Sequence, residues 1–281
     1  MYFKGILWFD KAAIFISDTE RLKEKNESCY ERQMNETWFE TIPTGYFYKN
    51  IWYSLSCTSY LDRTKAAYFN CLKDRSLIFL GDSTIRYWFD YLTEFLNLKF
   101  TLGRWDEIKD KTWQKYAYAE SKKLNISFSW APHELPFYGS ADSNRFNIRS
   151  VGSRLDEIPG NSNAIIILHW YLHVARASYV NYREHIQNAK TSILRLYERS
   201  PNVRILIKGP HSVQYYGNIE PQDYVKKYQQ QILFEEFSEF RDKIIYLDEW
   251  DMTVGNENVN VHPHKAVNIE MIHNFMSYVC P

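Results

Sequence analysis

A serine placed between an apolar run and an amphipathic stretch is the clearest sign of chemistry in this chain. Residues 76–80 (SLIFL) predict a buried strand, and residues 84–97 place their apolar side chains on one helical face. Gly81-Asp82-Ser83 joins the two, so the Ser83 hydroxyl is expected at the carboxyl end of the strand and the amino end of the helix. The backbone N–H and the partial positive charge at that position can stabilise an oxyanion. The pattern predicts nucleophilic acyl transfer, with helix capping by Asp82 or Ser83 as the alternative.

A serine nucleophile needs a base, and His262 is the best placed of the eight histidines. It lies in a loop between a predicted strand at 243–247 and a predicted closing helix at 264–278. Such a loop lies at the same carboxyl edge of a parallel sheet as Ser83, so the two side chains can meet there. A loop histidine that only holds the backbone is the alternative for His262.

The group that would orient His262 is less well marked. Asp251 follows the last predicted strand and could reach the histidine, whereas Asn260 stands two residues before it. An asparagine would stabilise the imidazolium less than a carboxylate would. Asp251, Asn260 and a serine–histidine dyad without a third member therefore all stay open.

Short apolar runs and long helical stretches alternate over the rest of the chain. Strands are predicted at 124–131, 164–168 and 203–207, and helices at about 179–199 and 221–240. This alternation predicts an α/β fold with a mainly parallel central sheet and helices on both of its faces. Functional residues are expected beyond the carboxyl ends of the strands.

Composition excludes several classes of partner. The chain has 281 residues, of which 45% are hydrophobic and 24% charged, as is typical of a globular protein. Its 34 basic and 34 acidic residues balance, which argues against a nucleic-acid-binding protein. No run of the sequence approaches the roughly 20 apolar residues that a membrane span needs. Aromatic residues reach 17%, so some rings are expected at the surface, where they suit sugars or partner proteins.

The first 50 residues differ from the rest. Residues 1–8 and 12–17 predict two short strands, and we interpret residues 1–17 as the remnant of an upstream β domain. Residues 18–50 are polar and rich in turn residues, so they are expected to form a peripheral segment of a main domain that spans 18–281.

Cysteines and glycosylation sequons together favour a secretory compartment, the Golgi lumen or the extracellular space, over the cytosol, which is the alternative. The four cysteines form no CxxC pair, and their even number allows two disulfides in three connectivities. Sequons begin at Asn26, Asn35 and Asn125. No metal-ligand spacing is present, so no metal site is predicted.

Five stretches in a fixed order carry a resemblance to a known family. Residues 81–88 (GDSTIRYW) resemble the GDSTxRxW block of PC-esterase-type members of the SGNH/GDSL superfamily. The other stretches are GYF at 45–47 with Trp52 and Cys57, Cys71-Leu72 before the strand, DEWDMT at 248–253, and NVHP at 260–263 with Cys280 after it. Over residues 43–281 the chain resembles the C-terminal half of the neurexophilin and PC-esterase domain family.

The resemblance implies an SGNH-hydrolase-like three-layer α/β/α fold. It also implies O-acyl transfer, above all of O-acetyl groups, to or from glycans on secreted or cell-surface glycoproteins. Ser83 would be the nucleophile and His262 the base, and Gly81, Asp82 and Arg86 would line the site. No bound cofactor is expected, although a transferase would need an acetyl donor. The alternative is a catalytically silent protein of this fold that binds glycans or a protein partner.

Three positions depart from the family pattern. Tyr87 stands where many relatives have Gln, and Val259 stands where the superfamily has the acid of its Asp-x-x-His motif. The strand that ends at Leu168 continues into HWYLH in place of Gly-x-Asn. The third oxyanion donor would then have to come from His173 or His169, and loss of one such donor costs on the order of 10²–10³ in rate.

Given the resemblance, the four cysteines are expected to form two disulfides, Cys57–Cys71 and Cys29–Cys280. The first would close a short loop before the nucleophile strand. The second would tie the peripheral segment to the last helix and, by closing a longer loop, would stabilise the fold more.

Overall fold

The structure is a computed structural model that describes residues 27–102, 116–132, 149–175, 177–213 and 223–281. The strands predicted within residues 1–17, and the sequon at Asn26, lie outside these ranges. Over the described ranges, helices pack on both faces of one large sheet.

The strands follow the chain from an N-terminal hairpin into the large sheet. They are β1 (Gly45–Tyr48), β2 (Ile51–Ser54), β3 (Ser76–Gly81), β4 (Lys99–Leu102), β5 (Ala117–Ser121), β6 (Ile126–Ala131), β7 (Ile165–His169), β8 (Arg204–Lys208) and β9 (Ile244–Leu247). The large sheet has the order β4-β5-β6-β3-β7-β8-β9. The run from β6 through β3, β7 and β8 to β9 is parallel, and β4 and β5 are antiparallel additions. The mainly parallel sheet is thus confirmed. β3 lies where the strand order changes direction, which is where open α/β sheets bind ligands.

The helices form two layers around that sheet. They are α1 (Lys65–Leu72), α2 (Ser83–Phe95), α3 (Val151–Asp156), α4 (Tyr179–Arg199), α5 (Asp223–Glu236), α6 (Trp250–Gly255) and α7 (Lys265–Val279), with short 3-10 helices at Met34–Trp38 and Ser238–Phe240. Alternate strand side chains enter opposite cores, because successive residues of a strand point to opposite faces. Phe79 and Ile167 pack with α1, α2, α6 and α7, whereas Ile166 and Ile207 pack with α3, α4 and α5. The three-layer α/β/α prediction is confirmed.

Several elements differ from those predicted. α4 has the predicted bounds, and α2 begins at Ser83, one residue before the predicted start. α5 ends at Glu236, and a 3-10 turn replaces the last turn that was predicted as helix. The hairpin β1–β2, the strands β4 and β5, and the helices α1, α3 and α6 were not predicted.

The peripheral segment is folded and packed against the main body. The Trp38 indole Nε1–H donates to the carbonyl of Ile244 at 2.8 Å, so the first 3-10 helix lies along the edge strand β9. The backbone N–H of Trp52 donates to Glu270 of α7 at 2.9 Å, which fixes the hairpin on the C-terminal helix. The disulfide-tied peripheral segment of the predicted fold class is therefore present.

The predicted disulfide pairing is wrong, although two disulfides do form. Cys29 bonds to Cys57 with a Cα–Cα distance of 4.9 Å, and Cys71 bonds to Cys280 with a Cα–Cα distance of 5.5 Å. The segments of Cys29 and Cys57 lie side by side, because the backbone N–H of Cys29 donates to the carbonyl of Thr58. Cys71 lies in the last turn of α1, which places its sulfur beside the end of α7.

Candidate active site

The corner between β3 and α2 depends on a glycine. Gly81 pairs with His169 at the ends of β3 and β7. A Cβ atom at position 81 would lie 2.7 Å from the carbonyl oxygen of His169 and 2.9 Å from Cγ2 of Ile85. Only a residue without a side chain allows this approach. The chain can therefore turn directly from the central strand into the helix.

Asp82 caps α2 from a fully buried position. Its Oδ1 accepts hydrogen bonds from the backbone N–H of Thr84 at 2.8 Å and from the Thr84 hydroxyl at 2.7 Å. Its Oδ2 accepts from the backbone N–H of Leu172 at 2.8 Å, which fixes the loop after β7 against this corner. Capping is therefore done by Asp82, and Ser83 is the first residue of the helix.

Ser83 and His262 form the reactive centre of the candidate site. The Ser83 Oγ lies 2.7 Å from the His262 Nε2, although 179 residues separate the two in sequence. This distance lies within the range that a general base needs to remove the hydroxyl proton. Because Ser83 is at the first helical position, its backbone N–H has no acceptor within the helix and can serve an oxyanion. The structure brings the two residues together, and their catalytic roles stay predictions.

Tyr87 presents an aromatic ring beside this pair, and no role was predicted for it. It lies one helical turn after Ser83, and its side chain is 49% exposed. The centroids of the Tyr87 and His262 rings are 5.7 Å apart. The only sequence signal was the replacement of the family's Gln by an aromatic residue.

The two histidines predicted as oxyanion donors lie in different surroundings. His169 is buried at the end of β7, where its Nδ1 lies 2.8 Å from the carbonyl oxygen of Lys208. His173 lies in the loop after β7, where the charges of Asp82 and His262 both affect its ring. Burial lowers the pKa of His173, with a further lowering by His262 and an opposing effect of Asp82. The oxyanion-donor roles of His169 and His173 stay predictions.

Arg86 lies on the buried side of α2. Its guanidinium stacks over the ring of Trp130 at 4.8 Å, and its Nε lies 3.3 Å from Oδ2 of Asp90. The Trp130 contact joins α2 to β6, whereas Asp90 belongs to α2 itself. The site-lining role of Arg86 stays a prediction.

The two candidate orienters of His262 make other contacts. Oδ2 of Asp251 accepts a hydrogen bond from the backbone N–H of Thr44 at 2.8 Å, which joins α6 to the peripheral segment. Asn260 is exposed, and its backbone carbonyl accepts from the Asn258 side chain at 2.8 Å. The orienting roles of Asp251 and Asn260 stay predictions.

A buried polar group beneath the site was missed by the sequence reasoning. Nζ of Lys208 lies 3.7 Å from Oε2 of Glu249 and 3.5 Å from Nδ1 of His211, and all three side chains are buried. Burial lowers the pKa of Lys208 and raises that of Glu249 to about 8. Their position in the sequence could have revealed them, because all three residues lie at or just beyond the carboxyl ends of β8 and β9, where functional residues are expected.

The remaining predicted sites concern metal and sugar attachment. Among the described residues, no group of three or more His, Cys, Asp or Glu side chains could hold a metal ion. Asn35 and Asn125 are exposed, so both sequons are accessible. The side-chain amide of Asn125 donates to Asp74 at 3.1 Å. Glycosylation of these residues stays a prediction.

The three-layer fold, with a serine at the end of its central strand, defines an α/β protein of the SGNH-like class. The family model described as "NXPE family member 4-like, C-terminal domain" matches residues 52–280. The chain therefore belongs to the NXPE family, which confirms the family-level part of the resemblance.

Three further findings concern the compartment, membrane spans and solved structures. Two disulfides in an NXPE-family chain fit a protein of the secretory pathway. Within the described ranges, no helix is both long enough and apolar enough to cross a membrane. Among solved structures, one crystal structure matches 74% of this chain and 97% of its own chain, with a TM-score of 0.39 and 10% sequence identity.

Proposed function

We propose that this chain is a PC-esterase-type enzyme that transfers or hydrolyses O-acyl groups, chiefly O-acetyl groups, on glycans of glycoproteins. The observation that carries the proposal is the 2.7 Å contact between the Ser83 hydroxyl and Nε2 of His262. This contact lies at the carboxyl edge of the sheet and at a helix N-terminus. A nucleophile, its base and a backbone donor for the oxyanion, which acyl transfer requires, are therefore close together.

The reaction begins when His262 removes the proton of the Ser83 hydroxyl. The Ser83 Oγ then attacks the carbonyl carbon of the acetyl ester, and the carbonyl electrons move to its oxygen. The bond from the carbonyl carbon to the leaving alcohol breaks, and His262 returns the proton to that oxygen. Water or a sugar hydroxyl next attacks the carbonyl carbon of the acetyl-serine while His262 removes its proton. The bond from that carbon to the Ser83 Oγ breaks, and His262 returns the proton to Oγ. The first acceptor gives hydrolysis and the second gives transfer.

Two groups support charge development on the carbonyl oxygen. The backbone N–H of Ser83 is at the first position of α2, where the helix leaves it without an internal acceptor. His173 supplies a second donor in our proposal, because burial favours its neutral ring, which keeps one N–H, and the ring lies near enough to His262 to be affected by its charge. Each donor of this kind contributes on the order of 10²–10³ in rate.

The glycan assignment is supported by the surroundings of the reactive pair. The half-exposed Tyr87 ring offers a flat apolar face next to His262, and such faces stack on the C–H face of a sugar. The secretory-pathway setting indicated by the disulfides is where glycoproteins are made and displayed, in the Golgi lumen or outside the cell. The enzyme is proposed to need no bound cofactor, and a transferase would draw on a dissociable acetyl donor.

The proposal is tested by acetate release from 4-nitrophenyl acetate and from an O-acetylated glycoprotein. The same glycoprotein after base treatment, mixed with an acetyl donor, tests for transfer. Ser83→Ala and His262→Ala are expected to lose at least about 10³-fold in rate. His264→Ala is the matched control, because His264 is an exposed histidine of the same loop. A folded wild type without hydrolysis or transfer, or variants as active as wild type, would contradict the proposal. Either result would favour the alternative, a catalytically silent protein that binds glycans or a protein partner.

A further inference from the structure

We infer that His211 is a positioning residue for His262, because it holds the peptide that presents the His262 ring to Ser83. The inference rests on the proposed function, since it concerns the base of the same reaction. His211 lies after β8, and 50 residues separate it from the peptide that it contacts.

The two ring nitrogens of His211 have complementary partners. Nε2 lies 2.9 Å from the carbonyl oxygen of Val261, the residue that precedes His262. A carbonyl oxygen only accepts hydrogen bonds, so Nε2 carries the proton and donates it. Nδ1 is then an acceptor and faces Nζ of Lys208 at 3.5 Å. Burial, followed by the Lys208 charge, holds the pKa of His211 well below its usual value, in agreement with a neutral ring.

The His211 ring is itself held in place. Its side chain is fully buried, and its centroid lies 4.5 Å from that of the Tyr171 ring. The Tyr171 hydroxyl donates to the backbone carbonyl of His211 at 2.6 Å, so both the ring and the backbone are fixed. Lys208, which faces Nδ1, is the last residue of β8 and lies 3.7 Å from Glu249. Rotation of the His211 ring would break several of these contacts together.

Neighbouring side chains hold the same loop on either side of His262. Nδ2 of Asn258 donates to the carbonyl of Asn260 at 2.8 Å and to that of Ser212 at 3.0 Å. Nδ2 of Asn268 donates to the carbonyl of Pro263 at 2.5 Å. We call His211, Asn258 and Asn268 the carrier clamp, because each is buried and each donates to a backbone carbonyl within two residues of the exposed His262.

His211 is the member of the carrier clamp with the most direct effect on the base. The peptide plane between Val261 and His262 sets the direction in which the His262 side chain leaves the backbone. The hydrogen bond from His211 fixes the orientation of that plane. Misplacement of a catalytic group by about 1 Å can cost on the order of 10²-fold in rate. Loss of the Nε2 donor is therefore expected to slow every step that uses His262.

Two amide variants distinguish a hydrogen bond from His211 that positions His262 from a His211 side chain that only fills space. In His211→Gln, the amide nitrogen reaches the place of Nε2 and can still donate to Val261. In His211→Asn, the shorter amide reaches only the place of Nδ1, so it can face Lys208 but cannot reach Val261. If His211→Asn fails to fold, His211→Phe replaces it, because the ring keeps its volume against Tyr171 but has no donor.

The readouts are the rate of Ser83 labelling by a fluorophosphonate, the thermal midpoint, and crystal structures of the wild type and both variants. We expect His211→Asn to label 10- to 100-fold more slowly than wild type and His211→Gln to stay within about fivefold, with similar thermal midpoints. Equal rates in all three proteins, or equal slowing in both variants, would overturn the inference.

The crystal structures allow the positioning role of His211 to be tested even if the proposed function fails. A folded wild type that is never labelled refutes the proposed function, and the inference is then decided by geometry alone. It predicts that the distance between Ser83 Oγ and His262 Nε2 stays within hydrogen-bond range in His211→Gln and exceeds 3.5 Å in His211→Asn. An unchanged distance in His211→Asn would show that His211 does not position His262.

Discussion

Tyr87 and His262 stand side by side at the candidate site, with ring centroids 5.7 Å apart and ring planes inclined at 36°. Tyr87 and Ser83 are four residues apart on α2, so they lie on one face of that helix. In the proposed enzyme, the exposed Tyr87 ring is therefore assigned to substrate binding, and Ser83 and His262 to chemistry.

Replacement of the Tyr87 ring should change substrate binding more than turnover. Tyr87→Ala is expected to raise KM for an O-acetylated glycoprotein about fivefold and to leave kcat within about twofold, because ring stacking is worth about 1 kcal/mol. Tyr87→Trp should keep the wild-type KM. Tyr224→Ala, which removes an exposed tyrosine of α5, is the control. A fall in kcat with an unchanged KM would contradict the assignment.

The corner at Gly81 should not tolerate a methyl group. Gly81→Ala would place its Cβ 2.7 Å from the His169 carbonyl oxygen, a backbone atom within the sheet, and should lower the free energy of unfolding by about 1–3 kcal/mol. Gly160→Ala is the control, because the nearest atom there is 3.4 Å away. Urea unfolding of the two variants measures the difference. Equal stability of both variants would show that the β3–β7 approach is adaptable.

The two disulfides should contribute unequally to stability. Cys71–Cys280 spans 209 residues and Cys29–Cys57 spans 28. On the chain-entropy model, these loops correspond to about 5 and about 3.5 kcal/mol, respectively. Removal of each bond by a paired Cys→Ser replacement, followed by denaturant unfolding, should therefore show the larger loss for the 71–280 pair. The opposite order would point to native-state packing as the main source of the stabilisation.

Acid should destabilise the fold through His273. This residue is buried in α7, with Nδ1 3.0 Å from the Tyr68 hydroxyl, and burial, followed by the Arg63 charge, lowers its pKa to about 4. The unfolded histidine has a pKa near 6.5, so the unfolded chain binds more protons between these two values. The contribution of neutral His273 is therefore complete above about pH 6.5 and is lost as the pH falls towards 4.

The measurement for His273 is urea unfolding between pH 7.5 and 4.5. His273→Gln should flatten the fall of the free energy of unfolding over this range, because Gln does not titrate. His264→Ala should keep the wild-type slope, since His264 is exposed. Identical slopes for His273→Gln and wild type would exclude His273 as a source of the acid sensitivity.

The central strands and long helices were predictable from the sequence, because they are buried and regular. Residues 164–168 (AIIIL) are apolar on both faces, as a strand covered by helices on both sides requires, and β7 lies at Ile165–His169. α4 was predicted with its full bounds, because its apolar residues repeat with helical spacing. In these elements, the local pattern of apolar residues favours the same secondary structure that packing in the folded protein requires.

The hairpin and the antiparallel edge were missed because their local signals are atypical. The two-residue turn of the hairpin is Lys49-Asn50, with φ angles of 50° and 63°, where Asn-Gly is the usual signature. β4 is mostly exposed, and β5 contains two alanines, which are depleted in strands. Packing against the neighbouring strand, and not intrinsic propensity, forms these strands.

Contacts between residues far apart in the sequence were the other feature that the sequence could not predict reliably. The Cys71–Cys280 pair depends on how α1 meets the end of α7, and spacing in the sequence holds no information about that contact. Ser83 and His262 could be placed near each other because both follow parallel strands. His211 had the same position after β8, but a histidine that holds a peptide has no motif of its own.

The central claim is that His262 activates Ser83, and fluorophosphonate labelling measured by intact mass tests it most directly. The phosphonyl group forms a bond to the Ser83 oxygen and fluoride leaves, so a single adduct reports an activated serine. The account predicts one adduct per wild-type chain, none on Ser83→Ala, at least about 10³-fold slower labelling of His262→Ala, and a wild-type rate for His264→Ala. A folded wild type that stays unlabelled, or a His262→Ala variant that labels as fast as wild type, would contradict it.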